Sequence, residues 1–348
     1  MLVNVYCTRR ELPRLAFPHT LRSRRDRSDP ELAAHLHGFM GFVMGGGSRP
    51  MNATRYHVLR HIERVRHQVA LEVEADDLAE FESWAKDANA LVFLRDGSVR
   101  SPEGRVLVEP ETGDAQPGAD VPYPPDSVAR KAATDAALAA RGLVAPAGLP
   151  PVISELEVEL RAGPSIAARC LALFACALRA ESLSGPERLA PDDIAARLAG
   201  AEEAMTPRER AFFRHEAPPR RDIVDHVWRY EALWVLLWAL GHVATLLFPE
   251  GTCDVAAVAK TLVGVEPAAF VRDARRRPTP EVLDALDLHL RLHWLVRDAA
   301  SPEAGEAGEA GATALAGIAG GVVQERHHAL NWLTCFEDAA WDDVTTPT

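Results

Sequence analysis

Apolar positions along the chain follow two different periods. From Leu2 to Thr8 they alternate, with Val3, Val5 and Cys7 on one face, which predicts a first strand. Residues 29–44 change to a helical period, with Asp29 placed to cap and Pro30 in the first turn. Gly45, Gly46 and Gly47 end that helix. No Lys-Ser or Lys-Thr pair follows them, as a phosphate-cradling loop would need, so they predict a turn. Residues 55–65 fit a helix and a strand equally well. Residues 66–74 alternate cleanly as a strand, residues 76–89 form an acid-started helix, and Ala90 to Leu94 make a short buried strand. Residues 96–110 supply turns and another strand. The basic run at 22–27 predicts a solvated loop. Residues 1–112 therefore predict a small α+β domain with a mainly antiparallel sheet.

Residues 113–126 have the composition of a linker, and from residue 127 the pattern is helical. One helix runs from Asp126 to Gly142, and Pro146, Pro150 and Pro151 mark the loop after it. Ser165 is placed to cap a small-residue helix, and Pro191 opens another. Thr206 and Glu209 have capping-box spacing around Pro207. Thr279 and Pro280 open a helix to Ala299, the glycine-rich repeat at 302–312 predicts a loop, and residues 321–336 predict the last helix. The stretch from 226 to 248 is apolar on almost every side and holds Trp228, Trp234 and Trp238. Such a helix is buried, so residues 127–348 predict a multi-helix orthogonal bundle around this central helix.

Composition sharpens the picture. A chain of 348 residues with 47% hydrophobic and 25% charged positions fills two domain cores without a metal or disulfide staple. The net charge of -12 argues against a general nucleic-acid or anionic-membrane binder. Lysine occurs only at Lys86, Lys131 and Lys260, an arginine bias that matches GC-rich coding. Five cysteines in no C-x-x-C pair predict neither a zinc site nor a disulfide framework, and suit a reducing cytoplasm. The first residues lack a signal-peptide pattern. Ala232 to Phe248 is too short for a span of ~20 residues and contains His242.

His289 and His293 have the i,i+4 spacing that can share a metal. They lie beside Val282, Leu286 and Val296, whereas Asp284 and Asp287 point away, and leucine follows the first histidine where zincins carry glutamate. The same spacing recurs at His57 and His61. No metal and no cofactor is predicted. In the central stretch Glu231 shares a face with Trp228, Val235, Trp238 and His242, while Arg229 points nearly opposite. Each needs a partner from another element, because a lone buried charge is costly. Asp287 and Arg291 form an i,i+4 pair on their own helix. The resulting polar set is Arg229, Glu231, Asp287, Arg291, His293, Arg326, His327, Asn331 and Asp342. It is either a buried network that fixes helix register or a ligand-binding or acid–base pocket between the helices at 226–248, 280–299 and 321–336.

The segments at 228–241 (WRYEALWVLLWALG), 286–294 (LDLHLRLHW), 325–333 (ERHHALNWL) and 341–346 (WDDVTT) resemble the bacterial domain-of-unknown-function 4272 family over about residues 128–348. Residues 55–108 resemble the region that precedes this domain in many members. The resemblance implies a fold and supplies no catalytic residue. The sequence-based expectation is a binding protein with a protein partner, without nucleic acid or membrane. An enzyme or small-ligand binder is the alternative.

Overall fold

The computed structural model describes residues 1–301 and 315–348. The glycine-rich repeat at 302–312 lies outside the described residues. The chain divides into two compact units. Unit 1 contains Met1–Ala129 and Ile153–Val158, and unit 2 contains Arg130–Val152 and Glu159–Thr348.

Unit 1 is built on a six-stranded sheet. Its strands are β1 (Leu2–Cys7), β2 (Thr20–Asp26), β3 (His67–Glu72), β4 (Ala90–Leu94), β5 (Val99–Arg100) and β6 (Val106–Val108). The order is β2-β3-β1-β4-β5-β6, and every pairing is antiparallel. β1 is inside the sheet, with Val5 opposite Val69 on one neighbour and Val92 on the other. Its alternation has the predicted consequence. Val3, Val5 and Cys7 join Val69 and Leu71 in a core closed by Phe81 and Trp84 of α3 (Leu78–Asp87). Tyr6 joins a second core with Phe39 of α1 (Pro30–Val43) and Val58 and Ile62 of α2 (Ala53–Glu63). Helices thus cover both faces, which explains why β3 is buried on both sides.

Local signals decide most of these elements. The Asp29 side chain accepts a hydrogen bond from the Glu31 amide at the start of α1. The ambiguous stretch at 55–65 is helical because Asn52 caps it, accepting from the Arg55 amide. Two expectations are corrected. The basic run at 22–27 is largely strand β2, on the sheet edge, where most side chains stay in solvent and show no apolar alternation. The stretch with linker composition packs on unit 1. Ala119, Val121 and Tyr123 sit against the second core, and the Tyr123 hydroxyl is 2.7 Å from His57 Nδ1.

Residues 153–158 return to unit 1 as a clasp. The Arg10 amide donates to Leu156 O (2.9 Å) and its guanidinium to Val158 O (2.8 Å). Glu157 is fully buried. It accepts from Arg64 Nη1 at 3.0 and 3.3 Å, from Asn89 Nδ2 at 3.4 Å and from the Ser154 amide at 2.8 Å.

Unit 2 is helical. It takes in α4 (Pro125–Ala139) from Arg130 onward, then α5 (Gly163–Ser184), α6 (Pro191–Arg197), α7 (Pro207–Arg214) and α8 (Arg220–Ala239). There follow α9 (Val255–Leu262), α10 (Pro267–Arg272), α11 (Thr279–Ala299) and α12 (Gly320–Leu333). α8 packs on α5 and α12, and α12 packs on α11. The central helix is displaced from its expected limits of 226 and 248. It starts at Arg220 and stops at Ala239, because Gly241 takes a left-handed φ of 82°. The His242 amide then bonds to Leu237 O and the Gly241 amide to Trp238 O, which is a Schellman stop. Only its second half is buried on most sides. Val224, Val227 and Trp228 in the first half are exposed.

α5 begins at Gly163 rather than at a Ser165 cap. A Cβ on Gly163 would lie 2.4 Å from Ala274 O, so only glycine allows this approach. The capping box at α7 is complete. Thr206 accepts from the Glu209 amide, and Glu209 accepts from the Thr206 amide. Among the described residues no helix is long and apolar enough to cross a membrane.

Candidate functional site

Most of the polar set converges on α12. Four consecutive residues, Glu325 to His328, meet four different neighbours. A helix turns ~100° per residue, so four positions sweep most of its circumference.

Glu325 accepts from Arg229 Nη1 of α8 at 3.0 and 3.2 Å. Arg326 Nε donates to Glu231 of α8 at 3.2 Å, and its Nη1 donates to Leu247 O at 2.7 Å. The second Glu231 oxygen accepts from the Cys253 amide. Arg229 and Glu231 were expected to need partners on two sides. Both partners come from one helix, as adjacent residues of opposite charge whose long side chains reach both flanks of α8. Burial raises the Glu325 carboxyl pKa, and Arg229 opposes that shift.

His327 meets His293 of α11, with the two Nδ1 atoms 3.0 Å apart and the ring planes at 89°. Two neutral rings make this bond when one carries hydrogen on Nδ1 and the other presents a lone pair. Burial holds His293 down to about 4, with Arg297 adding to the effect. Burial, then the neighbouring histidines 293, 289 and 328, holds His327 well below the usual histidine range. His328 packs edge-on to Trp341, with ring centroids 4.7 Å apart. Its pKa is also lowered to about 4, by burial and then by Arg229 and Arg169.

The spacing of His289 and His293 does not join them in a common site. His289 Nδ1 lies 2.8 Å from Ala285 O on its own helix, while His293 turns to His327. Among the described residues no three His, Cys, Asp or Glu side chains are grouped to hold a metal. Asp287 and Arg291 form the predicted pair on α11, at 2.8 and 3.0 Å, and both are fully buried. Asn331 donates to Thr345 O at 2.8 Å, tying the residues after α12 back to that helix. Asp342 is half-buried beside Trp341 and joins none of these pairs.

Three participants escaped the sequence reading. Asp135 of α4 lies 3.3 Å from Arg291 Nε and gives that arginine a second carboxylate. His328 was passed over in favour of its neighbour. Arg169, deep in apolar α5, donates to Glu209 of the α7 capping box and to Ala204 O, and stacks 4.9 Å from the Trp341 ring. Its signal was available: an arginine inside a continuous apolar helix requires a buried acceptor.

The histidines predict acid sensitivity. Burial lowers His289 to about 4, whereas the unfolded chain takes up the proton near 6.5. Its stabilisation is full above pH 6.5 and is lost as pH falls from 6.5 towards 4. His289 alone accounts for roughly 2 kcal/mol at pH 5, and His293, His327 and His328 act in the same direction. Melting temperatures measured from pH 7.5 to 5 are expected to fall steeply. A flat profile across that range would contradict neutral burial of these rings.

Fold and site together define a two-unit protein: an antiparallel sheet carrying helices, and a helical unit in which residues 325–328 of α12 pair with neighbouring elements. Residues 130–344 match the model of the family described as Domain of unknown function (DUF4272), and the chain belongs to that family. No curated protein and no solved structure matches the chain.

Proposed function

We propose that the chain acts by binding a protein partner rather than by turning over a substrate, and that its polar set is a structural network. One observation carries this reading. Most of the side chains in the polar set that could do acid–base work are spent on one another inside unit 2: Glu231 on Arg326, Asp287 on Arg291, His293 on His327. A general acid or base must reach the proton it moves, and these pairs direct their polar atoms at one another inside the helical unit. Five free cysteines, three of them buried, support a reducing cytoplasmic setting.

Charge exchange across the less buried pair tests the reading. Arg229→Glu and Glu325→Arg are each expected to lower stability by roughly 1–3 kcal/mol, and the double exchange to recover most of that loss. Single reversals that leave the melting temperature unchanged would show that the pair does not hold the fold, and the reading would fail.

A further inference from the structure

A second feature of unit 2 lies away from this network. An open cleft of about 600 Å³ runs between the first turn of α5 and the loop joining α10 to α11. Gly163, Ala274, Thr279 and three consecutive arginines, Arg275, Arg276 and Arg277, line it. The arginines are not equivalent. Arg277 is consumed, bonding to Glu281 and to the carbonyls of Trp238, Val243 and Ala244. Arg275 donates only to Ala274 O, and Arg276 to Arg277 O and the Thr279 hydroxyl. Neither forms an ion pair with a carboxylate among the described residues, and both are exposed. The nearby acids are engaged, Asp273 with Arg272 and Glu281 with Arg277, each at 2.8 Å. The cleft therefore holds two exposed guanidinium groups outside any ion pair among the described residues, Arg276 without an acidic neighbour in contact and Arg275 within electrostatic reach of Asp273, in a chain of net charge -12.

We propose that this cleft binds a phosphate-bearing small molecule through Arg275 and Arg276. Guanidinium forks match the paired oxygens of a phosphate group. The volume falls within the range of small-molecule sites and exceeds what a single inorganic phosphate fills. The approach of Gly163 to Ala274 O brings the first turn of α5 against the arginine loop. That adds the positive end of a 22-residue helix whose N-cap, Ala162, supplies no side-chain acceptor. The proposal is independent of the network reading, because none of its residues belongs to the polar set.

The test uses the intact chain and inorganic pyrophosphate as probe, with calorimetric titration at fixed low ionic strength. Wild-type protein is expected to bind. The Arg275→Ala/Arg276→Ala double variant is expected to bind at least tenfold more weakly. Both side chains are exposed, so its melting temperature without ligand should match wild type. Absence of binding at millimolar pyrophosphate, or equal binding by the double variant, overturns the proposal.

Discussion

Arg326→Ala is expected to destabilise unit 2 by about 3–5 kcal/mol. The substitution removes a guanidinium that is 2% exposed and leaves Glu231, equally buried, with one amide donor from Cys253. It also removes a donor from Leu247 O. Most of the cost is the stranded carboxylate rather than the lost attraction. Glu231→Ala strands the arginine in turn and should cost a similar amount. The double variant should cost clearly less than the sum, because neither charge is then left alone. Urea unfolding followed by tryptophan fluorescence reads this unit well, since Trp84 is the sole tryptophan of unit 1. Additive losses, or single losses below about 1 kcal/mol, would mean that the two charges are solvated and that α12 does not pin α8.

A comparable effect is expected in unit 1 from Glu157→Ala. Glu157 is 0% exposed and accepts from Arg64, Asn89 and Ser154. Its loss leaves a largely buried guanidinium and a buried amide without their acceptor, at a cost of about 3 kcal/mol or more. Hydrogen exchange localises the damage. Amides of β1 and β3 should exchange roughly a hundredfold faster, while those in the middle of α5 and α8 keep their protection. Unchanged protection in the sheet would show that the clasp does not stabilise unit 1.

Features decided within a few residues could be read directly. The Asp29 cap, the Thr206 box, the start of α11 at Thr279 and the Asp287–Arg291 pair all depend on neighbours in sequence. Alternation in β1 was readable because Val3, Val5 and Cys7 share one fully buried face, while the other face carries polar Asn4 and is only partly buried. β2 was not, since an edge strand carrying arginines has no apolar period to detect. The stop at Gly241 was missed because the apolar run continues past the helix, and a left-handed residue outweighs hydropathy at a helix end. The polar set was legible as a demand for partners, but not as a list of pairs. Which acid meets Arg326, and that His293 meets His327 rather than a metal shared with His289, depends on the packing of α8, α11 and α12. Arg275 and Arg276 carry no local sequence signal, because what sets them apart is the approach of their loop to Gly163, which is distant in sequence.

The clasp has a consequence for synthesis. A ribosome releases the chain from its amino end, and domains commonly fold as they emerge. Unit 1 is not complete at residue 129, because Glu157 and its neighbours are still to be made. Until they arrive, Arg64 lacks its carboxylate partner, with all of α4 already outside. A fragment cut to the family-matched segment would have the converse defect. It would carry Glu157 without Arg64 and leave six residues with no sheet to dock on. The limits of the matched sequence therefore do not coincide with the limits of the compact units in this protein.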